Sequence, residues 1–324
     1  MRTPQRLSAT AVVAVAVAAA AALAGCSSAS NSTAAATSAL APASPAPTTT
    51  LVPHWPVTVA APNGTVTIKG LPQRIVSLDP TATEDLYAVG AGTQVVAVDQ
   101  YSDFPPGAPV TTLSSVNPNI GAVVKYDPSL VIAQNRPALV RALNKLGIPV
   151  LVEPEVSSLR DAYQQIEQIG LATGHGYQAD ETVANMQQEI NEVVQQDGTK
   201  YRGLAYYWEA SSNPYGSDTS ATLIGHIMDM FGLRNVADGA GSIHPVLSNH
   251  YIVAAKPQII FLADTLATGG QTPAMVAARA GWAAIPAVRD HDIFALNADI
   301  ASRWGPRLPQ LVEEIASALA SFKS

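Results

Sequence analysis

YQADETVANMQQEINEVVQQD, residues 177–197, decides how the rest of the chain is read. Ala179, Val183, Met186, Ile190 and the pair Val193 and Val194 recur at alternating spacings of four and three, which places them on one apolar stripe of a helix. Asp180, Glu181, Gln187, Gln188, Asn191 and Glu192 take the opposite face. No Gly or Pro interrupts the span, and Gly174, Gly176 and Gly198 flank it. Asp180 and Glu181 sit in its first turns, where carboxylates suit the helix dipole. At about 1.5 Å per residue such a helix reaches about 30 Å, the width of a small domain. Periodicity alone fits an ordinary amphipathic core helix as well as a strut between two lobes, so the flanking sequence has to distinguish them.

Before it, residues 57–60 and 65–69 read as an edge hairpin around Pro62, Asn63 and Gly64. An α/β alternation follows: strand 74–78, helix 83–89 closed by Gly90, strand 94–99, a Pro-rich loop over 101–109, helix 120–125, strand 129–133, helix 137–146 and strand 148–152. After it come strand 204–208, helices 222–231 and 251–255, strands 258–262 and 292–296, and a closing helix over 306–322. Continuous apolar strands between helices imply parallel sheets covered on both faces. Residues 123–133 and 253–262 share a helix-Pro-strand joint at equivalent points of the two halves. Two α/β halves joined by one long helix describe a bilobed protein, and a cleft between lobes is a preferred ligand site.

The chain has 324 residues, 48% hydrophobic and only 13% charged, a globular composition with material for a large core. Arg2 and Arg6 precede an apolar run over 11–24 that ends in Leu23-Ala24-Gly25-Cys26. That run is too short to cross the roughly 30 Å of a bilayer core, and its basic flank and small-residue end are those of an export signal. Leu23-Ala24-Gly25-Cys26 resembles a bacterial lipobox, which makes Cys26 the expected lipidated first residue after cleavage. As Cys26 is the sole cysteine, no disulfide framework is available and stability must come from burial. Cleavage removes two Arg and no acid, moving the formal net charge from −7 to −9. Nucleic acid is therefore not an expected partner, and no polybasic patch binds a membrane. Residues 27–54 are mostly Ser, Thr, Ala and Pro with no Asp, Glu, Lys or Arg, and read as a disordered tether. The expected divisions are a signal over 1–25, a tether over 26–54, a first lobe over 55–173, a connecting helix over 174–198 and a second lobe over 199–324.

Five stretches, in this order and spacing, carry a family likeness: Tyr101-Ser102-Asp103-Phe104-Pro105-Pro106, Tyr126-Asp127-Pro128-Ser129-Leu130-Val131-Ile132-Ala133, Leu146-Gly147-Ile148-Pro149-Val150, Ala278-Arg279-Ala280-Gly281-Trp282, and Ala298-Asp299-Ile300-Ala301-Ser302-Arg303-Trp304-Gly305-Pro306-Arg307. Over about residues 66–322 the chain resembles the iron/vitamin B12 class of ABC-transporter substrate-binding proteins, and within it the cobalamin-binding branch. The resemblance implies an α/β fold of two Rossmann-like lobes joined by one long helix, the class III arrangement, with little lobe closure. It also implies capture of a metal chelate, a corrinoid first and a ferric siderophore or haem as alternatives, and delivery to an ABC permease dimer with its ATPase. The bound chelate is cargo, and no resident cofactor is expected. The expected location is the outer face of the cell membrane, held by the lipid anchor alone.

A large, flat or globular chelate needs aromatic walls and a few fixed polar groups. By the resemblance Tyr101 and Trp208 are ligand-facing aromatics, Tyr215 in the Asn213-Pro214-Tyr215-Gly216 turn is a further one, and Asp299 with Arg303 forms a polar pair at the rim, beside Trp304. Each has a plainer alternative: an exposed loop side chain for Tyr101, core packing for Trp208 and Trp304, and a surface ion pair for Asp299 and Arg303. Trp208 and Tyr207 cannot both face the ligand if the strand persists, because successive strand residues face opposite ways. Where the cobalamin branch often sets tryptophans, this chain has Val116 and Asn117, Gln134 and Asn135, and His244. His244 is then a candidate metal-side contact or a solvated hydrogen-bonder. Gly121 and His250 stand where the family carries docking glutamates for the permease, with Asp127 a nearby substitute.

Three other classes stay open. A hydrolase or metalloenzyme lacks its motifs: none of the histidines at 54, 175, 226, 244, 250 and 291 makes a His-Glu-x-x-His, and no Gly-x-Ser-x-Gly elbow occurs. A free metal-ion receptor would draw on His226, His244, His250 and Asp264, whose spacing is irregular. A non-transport surface lipoprotein on the same fold would explain the missing docking carboxylates.

Overall fold

The computed structural model describes residues 54–198, 200–212, 215–265 and 269–323. The export signal, Cys26 and nearly all of the tether lie outside the described residues. In the first half β1 (Val57–Ala61) and β2 (Gly64–Ile68) form the expected hairpin. They are followed by β3 (Ile75–Leu78), α1 (Pro80–Ala88), β4 (Val95–Asp99), β5 (Val110–Leu113), α2 (Ile120–Val124), β6 (Leu130–Ala133), α3 (Pro137–Lys145), β7 (Val150–Val152) and α4 (Leu159–Thr173). Helix α5 (Gly176–Asp197) connects to the second half. That half contains β8 (Ala205–Glu209), β9 (Ser211–Ser212), β10 (Tyr215–Gly216), α6 (Leu223–Met230), β11 (Arg234–Asn235), β12 (Val246–Leu247) and α7 (Asn249–Ala255). It closes with β13 (Ile259–Leu262), α8 (Pro273–Ala277), α9 (Pro286–Arg289), β14 (Ile293–Ala295), α10 (Ala298–Ser302) and α11 (Leu308–Ala320).

Each half builds a parallel sheet, in the order β5-β4-β3-β6-β7 and β11-β8-β13-β14. In both, the strand order reverses beside the first strand of the sheet, between β3 and β6 and between β8 and β13. A crevice opens beyond the carboxyl ends of strands at such a reversal, which is where α/β sheets take ligands. The hairpin guards the outer edge of the first sheet: Asn63 at its turn donates to the Val150 carbonyl at 2.9 Å and accepts from the Val152 N–H at 3.3 Å.

Alternate residues of each strand feed different layers. Ile75, Leu130, Ile132 and Leu151 face α1, α4 and α5, while Val76, Val131, Val150 and Val152 face α2 and α3. In β8, Tyr206 and Trp208 join the first of these layers and Ala205 and Tyr207 a separate one around Trp282. The layer holding Ile75 and Leu86 is therefore continuous with that holding Tyr206, Phe261 and Leu311, and one core backs both sheets.

Helix α5 runs through that core. Its stripe, Ala179, Val183, Met186 and Ile190, is buried, with Val193 and Val194 packed against the same cluster. It lies against α4 on one side and α11 on the other. The α4 contact is close because Gly170 faces Ala179: a Cβ at Gly170 would come within 2.3 Å of the Ala179 Cβ. The sequence reading did not find α4. Its start is explicit in retrospect, since Ser158 accepts from the Asp161 N–H and the Asp161 carboxylate accepts from the Ser158 N–H, a reciprocal cap. Strand β5, helices α8 to α10 and the small antiparallel sheet β12-β10-β9 were also not anticipated.

Candidate functional site

The loops at the strand ends of the first sheet and the start of α6 enclose a cavity of about 780 Å³. Asp79 follows β3, Gln134, Asn135 and Arg136 follow β6, and Glu153 to Ser157 follow β7. Opposite them stand Ala221, Thr222, Ile243 and His244 from the second half, and Ser302 and Trp304 from the segment after β14. The cleft thus lies between the halves, at the reversal of the first sheet.

Local chemistry fixes these groups. Asp79 caps α1: one carboxylate oxygen accepts from the N–H of Thr81 at 2.8 Å and of Ala82 at 3.1 Å. Burial raises its carboxyl above the ordinary value, against the pull of Ala82, Gln134 and Thr81. Glu153, 6% exposed, is raised well above the ordinary value by burial and then by the charge of Asp79. Gln165 is near enough to favour its charged form, but neither Glu153 oxygen reaches a hydrogen-bond partner among the described residues. Asp85, fully buried on α1, is raised by burial and by Glu153, Asp79 and Glu84, and both of its oxygens are also unpartnered.

Across the cleft Thr222 caps α6 by accepting from the Gly225 N–H at 3.2 Å. His244 meets the Asp218 carboxylate through Nδ1 at 2.6 Å, and His226 reaches over to the Ser157 carbonyl at 3.1 Å. Trp304 is half-buried, its indole N–H donating to the Ala301 carbonyl at 2.9 Å.

Of the side chains singled out from sequence, Trp304 and His244 line the cavity. Gln134 and Asn135, named as departures from an aromatic lining, line it too. Tyr101 is 52% exposed on the loop after β4, and its carbonyl accepts from Arg303 at 2.9 Å. Arg303 is a buried hub: besides Tyr101 it contacts Asp103 at 2.9 Å, Asp299 at 3.2 Å and Glu84 at 3.5 Å. Arg303 and Asp299 are an ion pair as anticipated, but one drawn inward to α1, with neither residue in the cavity wall.

Trp208 requires a correction. It is 1% exposed and belongs to the shared core, because β8 is an inner strand with β11 and β13 on its flanks and layers on both faces. Neither it nor Tyr207, which points to the opposite layer, lines the cavity. Tyr215 is also displaced from the cavity wall, packing on the Arg279 guanidinium at 5.1 Å and on Trp282 at 5.8 Å. Sequence reading passed over Asp79 and Glu153. The available signal was an acid directly following a short apolar run, as in Ile75-Val76-Ser77-Leu78-Asp79 and Val150-Leu151-Val152-Glu153.

Among the described residues no group of three or more His, Cys, Asp or Glu is placed to hold a metal ion, and no helix is long and apolar enough to cross a membrane.

Two doubly wound sheets backed by one long helix, with a cleft at their strand ends, define a class III binding protein. Residues 75–300 match the family model described as periplasmic binding protein, and the chain belongs to that family. It is 31% identical over 276 residues to an uncharacterized ABC transporter substrate-binding lipoprotein of Bacillus subtilis, covering 82% of this chain and 86% of the relative. It is 28% identical over 265 residues to a vitamin B12-binding protein of Pectobacterium atrosepticum, covering 78% and 90%. Its fold superposes on the crystal structure of the vitamin B12 binding protein BtuF of Vibrio cholerae with a TM-score of 0.64 at 26% identity, covering 77% and 97%. The family is one of binding proteins for transport, not of enzymes.

Proposed function

We propose that this chain is the extracytoplasmic receptor of an ABC importer, anchored through a lipid on Cys26, that captures a metal chelate between its lobes and hands it to a permease dimer with its ATPase. A corrinoid is the favoured cargo. The observation that carries this is the cleft of about 780 Å³ at the strand ends, walled by Trp304 and Ile243 and set with fixed polar groups, on a frame where one core backs both sheets. A site of that size suits a ligand of several hundred daltons. The names of the relatives in Bacillus, Pectobacterium and Vibrio support the reading. Ferric siderophores and haem are the alternative cargoes.

Lipid-free protein titrated with cyanocobalamin, dicyanocobinamide, hemin and a ferric hydroxamate, read by absorbance and calorimetry, tests this directly. Saturable binding of at least one corrinoid is expected. Binding of none of the four removes the metal-chelate reading. Gly121 and His250 are both exposed, at the start of α2 and of α7, so permease docking here proceeds without carboxylates at those two points.

A further inference from the structure

The two lobes treat the acids at their strand ends in opposite ways. In the second lobe Glu209, at the end of β8, is gripped by both terminal nitrogens of Arg279 at 2.5 and 2.7 Å. In the first lobe Asp79 and Glu153 are 5% and 6% exposed, and neither forms an ion pair among the described residues. Asp85 lies in the same acidic cluster, likewise without an ion pair among the described residues, whereas Glu84 beside it has two cations, Arg303 and Arg307. Of the bases that line the same cleft, His244 is paired with Asp218, and Arg136 donates to the Ser115 carbonyl at 3.3 Å without an ion pair to Asp79 or Glu153.

Taking a carboxylate out of water without a partner costs several kcal/mol. An apolar side chain at the end of β7 would pack there without that cost, so structure alone does not account for Glu153. What Glu153 and Asp79 share is their place in the cavity wall. A ligand edge carrying N–H groups supplies the donors that the two Glu153 oxygens lack. A ligand edge carrying carboxylates adds like charge to a buried acidic floor, a repulsive element that rejects it.

We infer that Glu153, with Asp79 beside it, selects the cargo by the chemistry of its rim: a chelate fringed with amide N–H groups is accepted, and one fringed with carboxylates is refused. This rests on the chelate-receptor reading above and narrows it toward amide-edged corrinoids and away from porphyrins with free propionates.

Dicyanocobinamide and dicyanocobyrinic acid share the corrin ring and differ in carrying amides or carboxylates around it. Both are titrated into wild-type protein, Glu153→Gln and Asp79→Asn, each of which keeps the side-chain shape; hemin serves as a second carboxylate probe. Wild type should prefer the amide corrinoid by about a hundredfold, and Glu153→Gln should narrow that preference by about tenfold, the size of one hydrogen bond to a charged group. Asp79→Asn, which retains the cap on α1, should narrow it in the same direction. An undiminished preference in both variants, or tighter wild-type binding of either carboxylate probe, overturns the assignment while leaving the receptor reading standing. Failure of wild type to bind any of the three overturns this inference, and the receptor reading falls with it when cyanocobalamin and the ferric hydroxamate fail as well.

Discussion

Arg307 forks onto Glu84 across 223 positions of sequence, its Nε 2.7 Å from one carboxylate oxygen and its terminal nitrogen on the other. Arg303 approaches the same carboxylate, so the chain entering α11 is fastened to α1 of the first lobe by two buried guanidiniums on one acid. Glu84→Ala should leave Arg307 without its carboxylate, Arg303 keeping Asp103 and Asp299, and cost about 3–5 kcal/mol, the usual penalty for breaking a buried pair from one side. Urea unfolding of the two proteins measures it. Asp299→Ala, on the exposed side of Arg303, should cost no more than about 1 kcal/mol, since Glu84, Asp103 and the Tyr101 carbonyl remain.

The second lobe has its own version. Arg279→Ala should strand the fully buried Glu209 and cost about 3–5 kcal/mol, while also removing the cation from the faces of Tyr215 and Trp282. Arg279→Lys should recover only part of this, because an ammonium cannot bond both oxygens in parallel. Thermal melts of the three proteins order them.

Tryptophans 208 and 304 should behave as opposites. Trp208→Ala empties a site in the shared core and should cost about 3–5 kcal/mol of stability, whether or not ligand is present. Trp304→Ala, in the cavity wall, should weaken chelate binding by about tenfold with a smaller loss of stability. Paired unfolding and binding titrations separate them, and a Trp208 variant that folds normally but binds poorly would contradict the core assignment.

The unpartnered carboxyls also set a pH dependence. In the folded protein Glu153 is raised by burial and then by Asp79, and Asp85 by burial and then by Glu153, Asp79 and Glu84. A carboxyl raised on folding gives its full stability below the unfolded-state pKa, and loses it as pH climbs through the folded-state value. Wild type should therefore lose stability as pH rises above the ordinary carboxylate range, and Glu153→Gln should lose less. Unfolding free energies from urea titrations between pH 4 and pH 8 should show the variant level with wild type at the acid end and above it at the other, by about 1–3 kcal/mol. Equal slopes would mean that Glu153 titrates as an exposed acid does.

The frame could be read from the chain because its signals are local. The stripe from Ala179 to Ile190 and the absence of Gly and Pro were enough for α5, and apolar runs such as Leu130 to Ala133 were enough for the strands. Helix α4 is as local in its signals, an apolar stripe of Ala162, Ile166 and Ile169 opened by the polar exchange between Ser158 and Asp161, yet it was missed. The site was less legible. Trp208 looks the same in sequence whether its face of β8 meets a ligand or a second layer, and only the position of β11 and of the helices decides. Arg303 was visible as a partner of Asp299 four residues away, but its bonds to Glu84 and Asp103, 219 and 200 positions distant, have no local trace. Asp79 draws its character from burial and Glu153 from burial and from Asp79, neither of which is written in their neighbours along the chain.

A single core behind both sheets, spanned by α5 and fastened by Arg307 to Glu84, also bears on how loading is announced. A receptor that shuts over its cargo changes silhouette, and a membrane partner can tell full from empty by outline alone. A frame braced in this way would keep nearly the same outline in both conditions, and empty copies would then compete with full ones for the same berth. The announcement would then have to come from the cargo itself, felt at the mouth of the cleft, and uptake would slow as the proportion of unfilled receptors grows.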